Sequence, residues 1–204
     1  MNLTPFIEID NFLPVSFQDD IEKALTTDFF PWYWNKSTVA DNFYYGDNTN
    51  IVESNQFTHT IIASDDRQPS FIFKDLRPIV YFLEKHLDQK IKNIDRMKIN
   101  LLQPIPNNIN INHNPPHWDA DYRVQPNTIS MVYYVHDSDG DTVIFDKTLP
   151  QDPENLNVLH RSKPKKGKCI VFPSNTWHAS SNPIDSDRRI IINSVLELES
   201  QDPS

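Results

Sequence analysis

Two histidines and one aspartate have the types and the spacing that could hold a metal ion. His117 and Asp119 form a His-x-Asp pair, and His178 follows far downstream. Side chains alternate between the two faces of an extended strand, so both members of such a pair point the same way. Two histidines and one carboxylate on one triangular face leave three positions open, which suits non-heme Fe(II) and oxygen chemistry. These three residues are therefore a candidate metal centre.

Spacing alone also permits two simpler roles for these three residues. A surface ion pair between His117 and Asp119 accounts for the His-x-Asp pair without any metal. A Zn²⁺ hydrolase could use the same ligands, since zinc accepts two histidines, one carboxylate and a water. Such an enzyme would want a general base, and the sequence contains no His-Glu-x-x-His motif. The ligand types alone do not choose the metal.

Arg189 is the second unusual feature, because it begins a predicted strand, Arg189–Leu198, that is rich in β-branched residues. A buried guanidinium is costly unless it meets an anion, and its planar fork matches a carboxylate. If the metal is Fe(II), an α-keto acid could chelate it through two oxygens and present its far carboxylate to Arg189. Tyr133 or Tyr134 could supply a hydroxyl to the same carboxylate. The alternative is that Arg188 and Arg189 both lie in solvent.

The composition predicts one folded, acidic domain. The chain has 204 residues, of which 38% are hydrophobic and 11% aromatic, so it can bury a core. Its formal net charge is −9, which disfavours nucleic acid or an anionic membrane as the main partner. Three glycines and no GxGxxG or Walker motif exclude a Gly-rich phosphate loop.

The single cysteine and the amino terminus predict a location in the cytoplasm. Cys169 has no partner for a disulfide, which favours a reducing compartment. The first residues lack the basic and apolar regions of a signal peptide. No apolar run approaches the roughly 20 residues that a membrane helix needs. We therefore expect a soluble, intracellular protein without a membrane partner.

The first half of the chain predicts mixed elements that support a sheet. A strand is predicted over Phe6–Ile9, and a helix opens near Pro14 with Ser16 as its cap. The aromatic run Phe29–Trp34 either plugs the core and covers a sheet edge or forms a wall of a substrate pocket. The polar residues 35–56 are expected to form a long loop, of a length that is often functional.

Later segments alternate between strand and helix and then become β-rich. A strand over Phe57–Ile62 precedes a second helix that carries Pro78 in its first turn. From about residue 97 onward, short β-rich runs follow one another between turn signals, at Met97–Gln103, Thr128–Val135, Thr142–Phe145, Lys168–Phe172 and Arg189–Leu198. Short strands at this spacing without intervening helices predict an all-β sandwich or barrel.

Several of these motifs occur together in one known family. They are His117-Trp118-Asp119, Tyr133-Tyr134, Asp137–Phe145, Lys166–Pro173, His178 and Arg189 with its strand. On these residues the chain resembles the Fe(II)/2-oxoglutarate-dependent oxygenases, in particular their prolyl-4-hydroxylase-like branch. The family's Gly-Gly-Glu-Thr-x-Phe turn is changed here, with Asp139 in place of the first Gly and Asp141 in place of Glu. The resemblance covers roughly residues 97–198.

The resemblance implies a fold and a site. The fold would be mainly β, a double-stranded β-helix (jelly roll) with supporting helices, in one domain over residues 1–204. Residues 1–96 would give mixed support and substrate-side loops, and 97–198 the jelly-roll core. It implies that His117, Asp119 and His178 bind Fe(II).

The resemblance also implies a binding site for 2-oxoglutarate. It implies that Arg189 binds the far carboxylate of this acid. Asn193, four residues later, favours Arg189 over Arg188 for this role. Tyr134, with Tyr133 as the alternative, would contact the same molecule. Asn100, on the strand before the His-x-Asp loop, is a candidate contact for the cofactor or the substrate.

Three functions are compatible with these residues. The first is a dioxygenase that uses Fe(II), 2-oxoglutarate and O₂, helped by ascorbate, to hydroxylate a peptidyl proline or a small metabolite while 2-oxoglutarate becomes succinate. The second is a cupin-like metal- or ligand-binding module without turnover. The third is a Zn-dependent hydrolase on a similar barrel. The complete set of three ligands and Arg189 favours the first, because a retired site would be expected to have lost one of them.

Overall fold

This computed structural model describes residues 5–39, 54–63, 69–106, 113–121, 123–151 and 155–200 of the chain. In chain order the elements are β1 (Ile7–Ile9), α1 (Val15–Leu25), β2 (Tyr33–Asn35), β3 (Gln56–Ile62), α2 (Phe73–Leu76), α3 (Pro78–Leu87), β4 (Ile91–Leu102), β5 (Thr128–Tyr134), β6 (Thr142–Thr148), β7 (Val158–Ser162), β8 (Cys169–Pro173), β9 (Thr176–Ser180) and β10 (Arg189–Leu198).

Two antiparallel sheets face each other as a jelly roll, as the β-rich pattern and the resemblance predicted. The larger sheet has the strand order β1-β8-β5-β10-β4-β3-β2, and the smaller one has the order β7-β6-β9. Strands from the first half of the chain therefore form both edges of the larger sheet. The two centrally placed long strands, β4 and β10, pair along almost their whole length, from Arg189 opposite Leu102 to Leu198 opposite Ile91.

The helices cover the outer face of the larger sheet. Ile21 and Leu25 of α1, and Ile79 and Leu83 of α3, recur at helical spacing and are almost fully buried. They join a core cluster with the side chains that the sheet turns toward them, such as Ile99. This cluster is the main source of apolar burial in the described part of the chain, and it lies away from the space between the sheets.

The start of α1 differs from the sequence prediction. The helix begins at Val15, with Pro14 at the cap position and no side-chain cap hydrogen bond. The expectation that Ser16 caps this helix is therefore wrong. Pro14 presets the backbone entry, and its carbonyl accepts the first hydrogen bonds from the N–H groups of Phe17 and Gln18. The predicted place of Pro78 in the first turn of α3 is confirmed.

The aromatic run Phe29–Trp34 serves the core and the sheet edge. Phe30 is buried and Trp32 packs against the main core cluster. Tyr33 and Trp34 lie on β2, the edge strand, and are largely exposed. Asn35, rather than any of these aromatic residues, reaches the cavity between the sheets. Most of the predicted loop at 35–56 lies outside the described residues. None of the helices that the structure describes has the length and apolar character required to cross a membrane.

Candidate metal centre

The space between the two sheets contains a cavity of about 320 Å³. The larger sheet contributes every second residue of its central strands, and the smaller sheet contributes residues of β9 and Thr142 of β6. The described lining includes Arg96, Lys98, Asn100 and Leu102 of β4, Arg189, Ile191 and Asn193 of β10, and the His-x-Asp segment with His178. Because strand side chains alternate, the residues between these on β4 and β10 point into the helix-covered core instead.

Backbone pairing brings the two distant histidines together. The N–H of His117 donates to the carbonyl of His178 at 2.9 Å, and the reverse bond is 2.8 Å long. This antiparallel bridge places the segment before Asp119 beside β9, as an extension of the smaller sheet. The N–H of Asp119 then donates to the carbonyl of Ser174 at 2.9 Å. The His-x-Asp pair is thus held by β9, which carries His178, and by the turn that leads into β9.

His117, Asp119 and His178 converge at one point of the cavity wall. Their nearest ligand atoms all lie within 4.8 Å of one another. His178 Nε2 is 3.5 Å from Asp119 Oδ2, and the two imidazole ring centres are 4.3 Å apart. Two imidazole nitrogens and one carboxylate are the donor set of the non-heme Fe(II) facial triad. The residues that the structure brings together therefore fit such a metal.

Hydrogen bonds orient both imidazoles for ligation. His178 Nδ1 lies 2.9 Å from the carbonyl of Thr176, and His117 Nδ1 lies 3.3 Å from the carbonyl of Pro115. A carbonyl can only accept, so Nδ1 carries the proton and Nε2 keeps its lone pair for a metal. Burial, followed by the proximity of His178, lowers the pKa of His117 to about 3. His117 is therefore neutral at physiological pH, which is the form that binds a metal.

Asp119 is kept ionised by its neighbours. Burial by itself would raise the pKa of this carboxyl, but the Arg96 guanidinium and the hydrogen bond from Ser130 hold it well below its ordinary value. Arg96 forms an ion pair with Asp119 Oδ1. The hydroxyl of Ser130 donates to Oδ2 at 2.6 Å. The carboxylate is thus charged, fixed in orientation and available at neutral pH.

Arg189 is fully buried in the same cavity, with 2% of its surface exposed. Its Nε donates to the carbonyl of Gly140 at 2.6 Å, and one terminal nitrogen donates to Thr142 Oγ1 at 2.8 Å. Among the described residues, no carboxylate forms an ion pair with it. Burial lowers its pKa, but an arginine stays charged at neutral pH. A buried cation held by neutral acceptors is suited to an anionic ligand, whereas Arg188 is only half-buried and its Nε lies 3.7 Å from Asp187 Oδ2.

The turn before β6 shapes this binding site. A Cβ at Gly140 would lie 2.6 Å from the carbonyl oxygen of Ser181 and 3.0 Å from the Arg189 side chain, so only glycine fits. Asp139, the departure from the family pattern, accepts hydrogen bonds at 2.9–3.0 Å from the backbone of residues 184–186. This carboxylate fixes the loop that leads into Arg189.

The two tyrosines lie on opposite faces of β5. The hydroxyl of Tyr134 donates to Thr142 Oγ1 at 2.8 Å, so Tyr134 lies behind Arg189 and does not itself line the described cavity. Tyr133 belongs to the helix-covered core cluster, and its hydroxyl has no hydrogen-bond partner among the described residues. Burial raises the pKa of Tyr134 to about 12, so it stays a donor at neutral pH.

Asn100 of β4 and Asn193 of β10 lie on neighbouring strands of the larger sheet, on the face toward the cavity. Both line the cavity, and the side-chain oxygen of each is buried without a hydrogen-bond partner in the described structure. A buried polar atom without a partner costs free energy unless a ligand or water satisfies it. The two amides are therefore available to a bound molecule.

Sequence patterns did not reveal Arg96, Lys98 and Ser130 as residues of the site. Arg96 and Lys98 share a face of β4 with Asn100, and the two-residue period of that strand was the available signal. Ser130 had no sequence signal, because its contact with Asp119 depends on how β5 lies under the His-x-Asp segment. His113, a further histidine of the same segment, is not one of the three ligands: its Nδ1 lies 2.8 Å from the carbonyl of Asn114, and its ring packs on Phe145.

One family of known proteins matches the chain by sequence. The sequence model of the 2OG-Fe(II) oxygenase superfamily matches residues 107–196, which include His117, Asp119, His178 and Arg189. No curated protein matches the chain by sequence. The family model therefore matches the segment that contains the three candidate metal ligands and Arg189.

Solved structures share the fold at low sequence identity. A prolyl-4-hydroxylase from Pseudomonas putida has a TM-score of 0.59 at 13% identity, covering 97% of this chain and 95% of its own. A prolyl hydroxylase from Trichoplax adhaerens, solved with a hypoxia inducible factor peptide fragment, has a TM-score of 0.61 at 16% identity. The match covers 96% of this chain and 85% of that protein. The alpha ketoglutarate dependent epimerase SnoN from nogalamycin biosynthesis has a TM-score of 0.60 at 11% identity. The match covers 94% of this chain and 77% of that protein.

Proposed function

We propose that this chain is a 2-oxoglutarate-dependent dioxygenase of the 2OG-Fe(II) oxygenase superfamily, that it binds Fe(II) through His117, Asp119 and His178, and that it hydroxylates its substrate. The cofactors of this superfamily are Fe(II), 2-oxoglutarate and O₂. The observation that carries the proposal is the joint presence, in one cavity, of the three ligand side chains and the buried Arg189. A module without turnover would have no need to keep both.

The chain's own residues have distinct roles in this proposal. When bound, Fe(II) with 2-oxoglutarate and O₂ supplies the oxidising chemistry that turns 2-oxoglutarate into succinate and CO₂ and places oxygen on the substrate. Arg189 binds the far carboxylate of 2-oxoglutarate, and Gly140 and Thr142 hold its guanidinium in place. Tyr134 supports this arrangement through Thr142. Ser130 and Arg96 hold the ligand carboxylate of Asp119.

The apolar wall of the cavity completes the proposed mechanism. Val132 and Ile191 line it and belong to a second cluster of buried side chains, between the sheets, with Phe172 and Ile144. These side chains limit the access of water to the reacting groups, which strengthens the charge interactions there and protects reactive species. The protein contributes geometry and a dry pocket, and the metal and its cosubstrate supply the chemistry.

The substrate is proposed to be a small molecule or a peptide, in keeping with the acidic net charge of −9. One relative in fold was solved with a peptide and another acts in nogalamycin biosynthesis, so the fold accommodates either class. A cavity of about 320 Å³ is near the lower end of ligand pockets in size.

Succinate formation tests the proposal directly. The protein is incubated under air with Fe(II), 2-oxoglutarate and ascorbate, and succinate is measured for the wild type and for His117→Ala. We expect slow succinate release by the wild type alone, since loss of one ligand removes the metal. Calorimetric titration with Mn(II) and then 2-oxoglutarate gives a second readout that needs no turnover. A wild-type protein that binds neither would refute the proposal.

A further inference from the structure

Two cations lie beside the proposed metal centre, apart from Arg189. Arg96 and Lys98 alternate with the core residues Met97 and Ile99 along β4, and the strand period directs both cations into the cavity. Lys98 stands opposite Asn193 in the pairing of β4 with β10. Both cations therefore line the same wall as the polar amides rather than the surface of the protein.

Among the described residues, Lys98 has no hydrogen-bond or ion-pair partner that would explain it as a structural residue. It is half-buried and makes no hydrogen bond or ion pair with the described residues. The exposed Lys92 of the same strand, by contrast, pairs with Glu197 at 2.6 Å. The buried Nε of Arg96 also has no hydrogen-bond partner in the described structure, although its terminal nitrogen holds Asp119. Cations in a cavity are costly without an anion.

The charge of the loaded site leaves room for an anion. Among the described lining side chains, Arg96, Lys98 and Arg189 are basic and Asp119 alone is acidic. In the loaded site Asp119 and the keto-acid carboxylate of 2-oxoglutarate would balance the two charges of Fe(II), and the far carboxylate would balance Arg189. The two positive charges that remain are those of Arg96 and Lys98.

The geometry points to a substrate that carries a carboxylate, bound between Arg96 and Lys98 next to the metal centre. This inference rests on the proposed function and adds the class of substrate to it. A guanidinium and an ammonium on one strand face bind a carboxylate by charge-assisted hydrogen bonds. The amides of Asn100 and Asn193 lie on the same wall and can bind polar groups elsewhere in the molecule. The cavity volume of about 320 Å³ favours a small acid.

Acetate is the probe that tests the anion site. The full-length protein is saturated with Mn(II), which replaces Fe(II), and with 2-oxoglutarate, and its melting temperature is followed as acetate or acetamide is added. We expect a saturable rise with acetate, of about 3 °C at ten times its Kd, and none with acetamide. Lys98→Gln and Arg96→Gln should weaken acetate binding by about tenfold or more. Lys92→Gln is the matched control and should behave as the wild type.

Calorimetry of 2-oxoglutarate on the same variants separates this site from the cofactor site. The affinity for 2-oxoglutarate should change by less than about threefold in Lys98→Gln, and acetate should leave this affinity unaffected. Acetate that competes with 2-oxoglutarate, acetamide that binds equally well, or a loaded wild-type protein that binds no acetate overturns the inference alone. A protein that binds neither Mn(II) nor 2-oxoglutarate overturns the proposed function instead.

A second arm identifies the source of the carboxylate. The melting shift of the loaded protein is measured with L-aspartate and with a blocked tripeptide that has aspartate at its centre. We expect the larger shift from the free acid, given the size of the cavity. The reverse order assigns the carboxylate to a peptide and overturns the preference for a small molecule.

Discussion

The two faces of the central strands β4, β10 and β5 are built for different purposes. The face toward the helices carries Met97, Ile99 and Ile192, all 0% exposed, in a continuous apolar core. The face toward the smaller sheet carries charged and amide side chains, several of which lack partners in the described structure. Stability and chemistry are thus separated by a single residue step along the same strand. The difference shows that a strand can bear costly polar groups on one face when its other face is well packed.

Ile99→Ala should give the largest effect of the changes considered, and this effect is a loss of folding stability. Ile99 is buried in the helix-covered core, so its truncation leaves a cavity and lowers the free energy of unfolding by about 3 kcal/mol. Its neighbour Asn100 is the matched control, because Asn100→Ala removes an amide from the cavity face and should change stability by less than about 0.5 kcal/mol. Urea unfolding of the metal-free proteins measures both. Equal losses at the two positions would contradict the separation of faces.

Arg189→Gln should affect ligand binding more than folding. Loss of the charged pair with the far carboxylate should weaken the binding of 2-oxoglutarate by roughly thirtyfold. Calorimetry with Mn(II) present measures this affinity. Arg188→Gln is the control, since Arg188 lies outside the cavity and pairs with Asp187. Unchanged affinity in the Arg189 variant would show that another cation binds 2-oxoglutarate.

Lys98→Met should stabilise the metal-free protein at neutral pH. Burial, with the nearby Arg96 as the second cause, lowers the pKa of Lys98 to about 8 from 10.5. The unfolded chain holds this proton more tightly, so the charge costs stability below pH 8 and the cost fades as the pH rises toward 10.5. Discounted for partial exposure, the gain is about 1 kcal/mol at pH 7.

The pH dependence distinguishes this effect from better packing. Urea unfolding of wild type and Lys98→Met is compared at pH 7 and near pH 10, where the difference should have largely disappeared. Lys92→Met, which removes an exposed cation of the same strand, should give no gain at pH 7. A gain that is the same at both pH values would point to apolar packing rather than to relief of a buried charge.

Much of this arrangement could be predicted from the sequence, because local patterns determine it. The bounds of β10 were predicted residue for residue, since the segment after Arg189 is rich in β-branched and other apolar residues. The predicted jelly-roll fold is confirmed, and the family named from the sequence motifs is the one whose sequence model matches residues 107–196. Arg96 escaped prediction because β4 begins at Ile91 rather than at Met97, which left Arg96 outside the predicted strand. The half-polar segment before Met97 gives a weak strand signal, and its pairing with β10 determines it instead.

The adjacent tyrosines of β5 give the smallest and most selective prediction. Tyr134 faces the site and donates to Thr142 Oγ1, which also accepts from Arg189, whereas Tyr133 points into the core. Tyr134→Phe should therefore raise the 2-oxoglutarate concentration needed for half-maximal succinate formation by about threefold, the loss of one neutral hydrogen bond. Tyr133→Phe removes a hydroxyl that has no partner in the described structure, so it should leave that concentration unchanged and keep or raise the melting temperature. If Tyr133→Phe alone raised the 2-oxoglutarate requirement, the choice between the two tyrosines would be reversed, and with it the assignment of the faces of β5.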